Sequence, residues 1–110
     1  MTNRSVEELR RWAGGMDTLA AGVELLLGIT AAGERVPGAR RAADGHAWID
    51  SDAIAVDTAA SSASRQAVAV IAASLIGGTP VDLSVALVGL DPDHGGLVLA
   101  AVARAAATVR

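Results

Sequence analysis

Twenty-five alanines in 110 residues, with Trp12 and Trp48 as the only aromatic side chains, constrain the fold of this chain more than any other feature. A core without Phe or Tyr must be filled by Leu, Val, Ile and Ala. Side chains that small fill space only where backbones approach closely. Alanine is also the strongest helix former. Together these facts predict helices packed at short spacing.

The bulk numbers narrow the class further. A chain of this length buries roughly 60–70 % of its unfolded surface, enough for one core without disulfides or metal. With 52 % apolar and 19 % charged residues, disorder is excluded and a single domain over residues 1–110 is expected. The net charge of −3 argues against a nucleic-acid footprint. The absence of Cys removes disulfides, thiolate metal sites and thiol nucleophiles. Residues 1–8 lack the apolar stretch of a signal peptide. The longest strongly apolar run, residues 67–78, falls well short of the about 20 residues that span a bilayer. The expected location is cytoplasmic, with no membrane partner.

Helix signals recur along the chain. Ser5 followed by Glu8 has the form of a capping box and predicts a helix over residues 6–13, stopped by Gly14-Gly15. Asp17 is the expected cap of a second helix. Its stripe of Met16, Leu19, Ala20, Val23, Leu26, Leu27 and Thr30 repeats at helical spacing as far as Gly33. Ser61 or Ser62 caps a third, running to Ile76 and ending at Gly77-Gly78. Its second half is apolar all round, so it is either buried on every side or covered by a partner. Asp82 caps a short helix through Leu90 with Leu83, Ala86, Leu87 and Leu90 on one face. Asp91-Pro92 opens a last one to about Thr108, with Leu97, Val98, Ala101, Val102 and Ala105 inward and Arg104 and Arg110 near its end.

The texture changes over residues 33–58, where Gly33, Pro37, Gly38 and Gly45 alternate with charged residues. Asp44-Gly45 is a type I′ hairpin signal between arms at 40–43 and 46–49. A short helix over 51–56, capped by Asp50, is the expected continuation. The predicted architecture is all-α, a small bundle of four to five helices with a short non-helical, hairpin-like insert near residues 33–50.

The stretch 62–109, with its Ala-Ser-Leu, Thr-Pro-Val-Asp-Leu and Gly-Leu-Asp segments, resembles small uncharacterised proteins of actinobacteria and their phages. The Gly15-Met16-Asp17 entry into the second helix is similar too. The likeness covers about two thirds of the chain and implies an origin, not an activity. Nine arginines without a lysine fit a GC-rich source, because lysine codons are AT-rich.

Reactive groups have plain structural explanations. His94 lies beside Asp91 and Asp93, and His46 near Asp44, Asp50 and Asp52. A histidine with two carboxylates can hold a metal, but helix capping already accounts for Asp91 and Asp93, and neither histidine has an i, i+4 ligand partner. No serine lies in a G-x-S-x-G elbow. The adjacent acids Glu7/Glu8 and Asp50/Asp52 read as solvated. The Gly-Gly pairs lack the Lys of a phosphate loop. Residues 77–82 join two helices as a helix-turn-helix does, yet the would-be recognition helix carries no Arg, Lys, Asn or Gln.

The expected function is therefore non-catalytic, by protein–protein contact with self-association first, and with no cofactor, metal or small-molecule ligand. A mean hydropathy of +0.42 gives the chain more apolar surface than a small monomer hides easily. The expected homodimer interface is Val68, Ile71, Ala72, Leu75, Leu99 and Ala103, on the two helices with the weakest polar faces. The alternative for those two helices is that they bury each other in a monomer. Two other functions stay open: a small DNA-associated regulator, which needs Arg10, Arg11, Arg40 and Arg41 on one face, and a minor enzyme built on His46 or His94.

Overall fold

A computed structural model describes residues 3–107. Its elements are α1 (Asn3–Ala13), α2 (Asp17–Gly28), β1 (Ala39–Arg41), β2 (Ala47–Ile49), α3 (Ile54–Asp57), α4 (Ala63–Gly77), α5 (Leu83–Val88) and α6 (Pro92–Ala106), with a 3-10 turn, Ser51–Ala53, leading into α3. The fold is mostly helical, as composition requires. It is not a plain bundle of four to five helices. The polar insert folds into a small antiparallel sheet of its own, and α3 and α5 are too short to serve as bundle members.

α4 is the central element, touched by α2, α3, α5, α6 and the 3-10 turn. Ala67, Val68, Ala69, Ile71, Ala72 and Ala73 are buried in it, and α2 contributes Ala20, Ala21, Val23, Leu25 and Leu26. The two helices meet closely because the contact is made of small residues. A Cβ added at Gly22 of α2 would stand 3.1 Å from the Ala72 carbonyl oxygen. The buried apolar side chains form one contiguous cluster reaching from Leu9 in α1 to Ala101 in α6.

Local chemistry sets most helix ends. Ser62 Oγ accepts from the Arg65 N–H at 3.2 Å to start α4, which stops at Gly78 in the left-handed region with φ 72°. Asp82 Oδ1 accepts from Ser84 and Val85 N–H groups to start α5. Asp91 Oδ1 accepts from the His94 N–H at 2.8 Å, with Pro92 first in α6. The expected end of α6 at Thr108, and Arg110, lie outside the described residues.

Two expectations are corrected. Met16, without a side-chain bond, occupies the cap of α2, and Asp17 is already in its first turn. α2 also ends at Gly28, short of Gly33. The Thr30 hydroxyl donates to the Leu26 carbonyl at 2.6 Å and Glu34 Oε1 accepts from the Ala31 N–H at 2.8 Å. These two bonds take the place of a further helical turn.

The Ser5/Glu8 pair does not cap α1, which begins at Asn3. It bolts the hairpin to the helix. Arg41 of β1 donates to Ser5 Oγ at 3.0 Å and to Glu8 Oε2 at 3.1 Å, and the Ala47 N–H of β2 donates to the same carboxylate oxygen. Burial opposes the charge on Glu8, but Arg41 and these hydrogen bonds outweigh it and hold the carboxyl below its ordinary range. The strands pair Ala39 with Ile49, Arg40 with Trp48 and Arg41 with Ala47. The hairpin loop differs from the expected type I′ form, which requires positive φ at both central residues. Only Gly45 has it, at 90°. The Gly45 N–H bonds back to the Ala42 carbonyl, closing a three-residue loop, while Asp44 stays out of the left-handed region and accepts from the His46 N–H.

Candidate interaction surface

The fold does bring a serine, a histidine and an aspartate together. Ser64 Oγ lies 2.6 Å from His94 Nδ1 and accepts from the Asp91 N–H at 2.8 Å. Asp91 Oδ2 is 3.5 Å from that same ring nitrogen. In a nucleophile–base–carboxylate relay the hydroxyl and the carboxylate occupy opposite nitrogens of the imidazole. Here both crowd Nδ1. The cluster instead ties the start of α6 to the first turn of α4. Asp91 is held below the ordinary carboxylate range, chiefly by the His94 N–H that it caps.

His46 is exposed on the hairpin loop, with Nδ1 2.8 Å from Asp44 Oδ2. Among the described residues no three His, Asp or Glu side chains converge as metal ligands would. Three of the four arginines that a DNA-associated reading needs are paired with carboxylates. Arg10 makes a two-point pair with Glu24 of α2, at 2.9 and 3.1 Å. Arg40 binds Asp57 of α3 at 3.1 Å, and Arg41 binds Glu8. Arg11 and Arg41 do line one polar depression with Arg4, but Glu7, Glu8 and Asp44 line it too. Among the described residues no helix is long and apolar enough to cross a membrane.

The expected interface residues separate into two groups. Val68, Ile71 and Ala72 are 3 % exposed or less and lie inside the chain's own core, so they offer nothing to a partner. Leu75 is half-buried against that core. Leu99 and Ala103 on α6 do face outward. An apolar helix signals burial, and here α2, α3, α5 and α6 together supply it.

The apolar surface that remains lies mainly on α5. Leu83, Val85, Leu87 and Val88 are 52, 68, 51 and 87 % exposed, and Ala86 alone turns inward. Leu83 and Leu87, expected on one face of this helix with Ala86 and Leu90, are half exposed, and Val102 of α6, expected inward, is half exposed too. Beside α5 runs a groove of about 440 Å³ whose walls include Ala67 and Val70 of α4, Pro80 and Val81 of the connecting loop, and Val85. From Gln66 to Ala103 the only formal charges are Asp82, Asp91 and Asp93. Asp82 is occupied by the Ser84 hydroxyl and the N–H groups it caps, which keep its carboxyl below the ordinary range. An apolar centre depleted of charge is the composition of an interface core. Sequence offered one signal for this face: a six-residue helix with large apolar residues at 83, 85, 87 and 88 cannot turn them all inward.

No protein-family model matches the chain, and comparisons with curated proteins and with solved structures give no match either.

Proposed function

We propose that this protein is a non-catalytic interaction module that works by self-association through the exposed apolar residues of α5. The observation that carries the reading is the exposure of Leu83, Val85, Leu87 and Val88, four large apolar side chains on one six-residue helix. Val85 and Val88, three apart, share one side of the helix, and Leu83 and Leu87, four apart, share another. The molecule is flattened, 40 × 39 × 23 Å, which enlarges the surface available relative to a sphere.

Size-exclusion chromatography with light scattering tests this at concentrations of tens of micromolar. The expected mass is twice the 11.0 kDa of one chain. A single-chain mass from protein with a full helical circular dichroism spectrum overturns self-association.

A further inference from the structure

Beyond self-association, we propose that the depression where the open edge of β1 meets α1 binds a phosphate or phosphate monoester, held by Arg35, Arg40 and Arg41. The depression measures about 420 Å³, within the range of small-ligand sites, and Ser5, Ala39 and Ala47 complete its wall. Among the described residues no carboxylate lines it. Three guanidiniums thus share one space in a chain whose net charge is −3.

Strand pairing explains the convergence. The Asp50 N–H donates to the Gly38 carbonyl, and the Ala42 N–H to the His46 carbonyl. Bonded pairs alternate along an antiparallel ladder, so the Ala39 carbonyl and the Arg41 N–H turn away from β2 to the open edge. There Arg35 Nη2 and Arg40 Nη1 each donate to the Ala39 oxygen at 2.8 Å. Two cations that share one neutral oxygen lie close enough to repel. Asp57, 3.1 Å from Arg40, offsets one of them. Arg35 forms no ion pair among the described residues, its one hydrogen bond being that to the carbonyl. Arg41 is fixed from the α1 side by Ser5 Oγ at 3.0 Å and by Glu8 at 3.1 Å, a carboxylate it shares with Arg4. A guanidinium carries five N–H donors, and these bonds leave most of the fifteen or so unused. A carboxylate has two oxygens, which a single arginine satisfies. A phosphate monoester offers three terminal oxygens and nearly two negative charges, the match for three arginines. A nucleic-acid phosphate, with one charge, matches less well.

Isothermal titration calorimetry at constant ionic strength tests the site with inorganic phosphate, glycerol 3-phosphate and acetate. Both phosphates are expected to saturate one site per chain, and acetate to give no saturable heat. Arg35→Gln is expected to raise the phosphate Kd at least about tenfold, as loss of a charge-assisted contact does. Its circular dichroism should be unchanged, because the carbonyl it releases keeps Arg40. Arg11→Gln removes the same charge from α1 outside the depression and should leave Kd within about twofold, screened by salt. A lower Kd for glycerol 3-phosphate than for phosphate assigns the rest of the wall to an organic part, and an equal or higher one assigns the site to free phosphate. Absence of saturable heat with either phosphate overturns the proposal, as does acetate binding as tightly as phosphate. Equal weakening by Arg35→Gln and Arg11→Gln reduces the effect to overall charge and also rejects it. Binding of a single-stranded oligonucleotide without terminal phosphates, where neither phosphate binds, rejects it in favour of nucleic acid.

Discussion

Gly22→Ala tests the close approach of α2 and α4 on which the whole core depends. In an unencumbered helix interior the change would stabilise by about 1 kcal/mol, since glycine is that much poorer than alanine. Here the new methyl would fall 2.5 Å from Ile76 Cγ1 and 3.1 Å from the Ala72 carbonyl oxygen. Ile76 is half-buried and can turn, though Cγ1 lies next to its branch point, so relief requires leaving a preferred rotamer. The carbonyl belongs to the backbone of the central helix and yields only if α4 shifts. Overpacking of this kind costs about 1–3 kcal/mol, and a contact this short belongs in the upper half of that range. The net expectation is a loss of about 1–2 kcal/mol, or roughly 5–10 °C in Tm for a domain of this size. Thermal melts followed by far-UV circular dichroism, at one fixed protein concentration, give the measurement. Gly28→Ala is the internal control, because its methyl would meet only the terminal carbons of Leu97 at 3.1 and 3.3 Å, and it should change stability by less than about 1 kcal/mol. In an Ile76→Ala background Gly22→Ala should become neutral or stabilising, a coupling that only direct contact produces. A single Gly22→Ala variant melting at or above wild type would refute the packing argument.

The remaining expectations concern the polar contacts. Ser64→Ala should cost about 1 kcal/mol in a denaturant titration, the net value of the bond it provides to the Asp91 N–H. Consistent with its role as a tether, Ser64 should not react with a fluorophosphonate probe, and mass-spectrometric detection of an adduct on Ser64 would make the cluster a reactive site. Asp57 feels burial most strongly, but the Gly38 N–H and Arg40 outweigh it and lower its pKa. A depressed carboxyl contributes stability that is fully present above its unfolded value and is lost as pH falls through the folded one. With Glu8 shifted the same way, Tm should hold steady from neutral pH to about 5 and decline below about 4.5, the ordinary carboxylate range. Asp57→Asn should melt lower at neutral pH and show a shallower acid decline. An acid profile identical to wild type would mean that Asp57 makes no such contact.

The parts of the fold legible in the sequence are those governed by neighbours along the chain. Ser62, Gly77-Gly78 and Asp91-Pro92 act within one helical turn, and their positions alone place the ends of α4 and the start of α6. Asp50 likewise accepts from the Asp52 N–H and starts the 3-10 turn where the sequence puts it. The misreadings share the opposite character. Ser5 and Glu8 have capping-box spacing, but their partner is Arg41, 36 residues from Ser5 and 33 from Glu8. The Ser64–His94 contact spans 30 residues. Val68, Ile71 and Ala72 were open to two readings because an apolar helix looks the same whether its own chain or another covers it. Leu99 and Ala103 were assigned to the outside, where they are, whereas Leu83, Ala86, Leu87 and Leu90 of α5 were grouped on one face although Ala86 alone of α5 is buried. Its i, i+4 pair Leu83/Leu87 mimics an inward stripe, and only tertiary placement shows that Ala86 is the buried side.

That inversion follows from the alanine content. Close packing around α4 admits small side chains, and α4 itself buries Ala67, Ala69, Ala72 and Ala73. An element packed on such a surface is held by its smallest residue, and in α5 that residue is Ala86. The larger Leu83, Val85, Leu87 and Val88 then have no space beneath them and are displaced outward. In an ordinary core the large residues go in and the small ones occupy the periphery. Here the tight core reverses the order for one helix, leaving its strongest apolar side chains for a second surface to cover. The same composition that makes the helices pack closely therefore generates the face through which the molecule is proposed to associate.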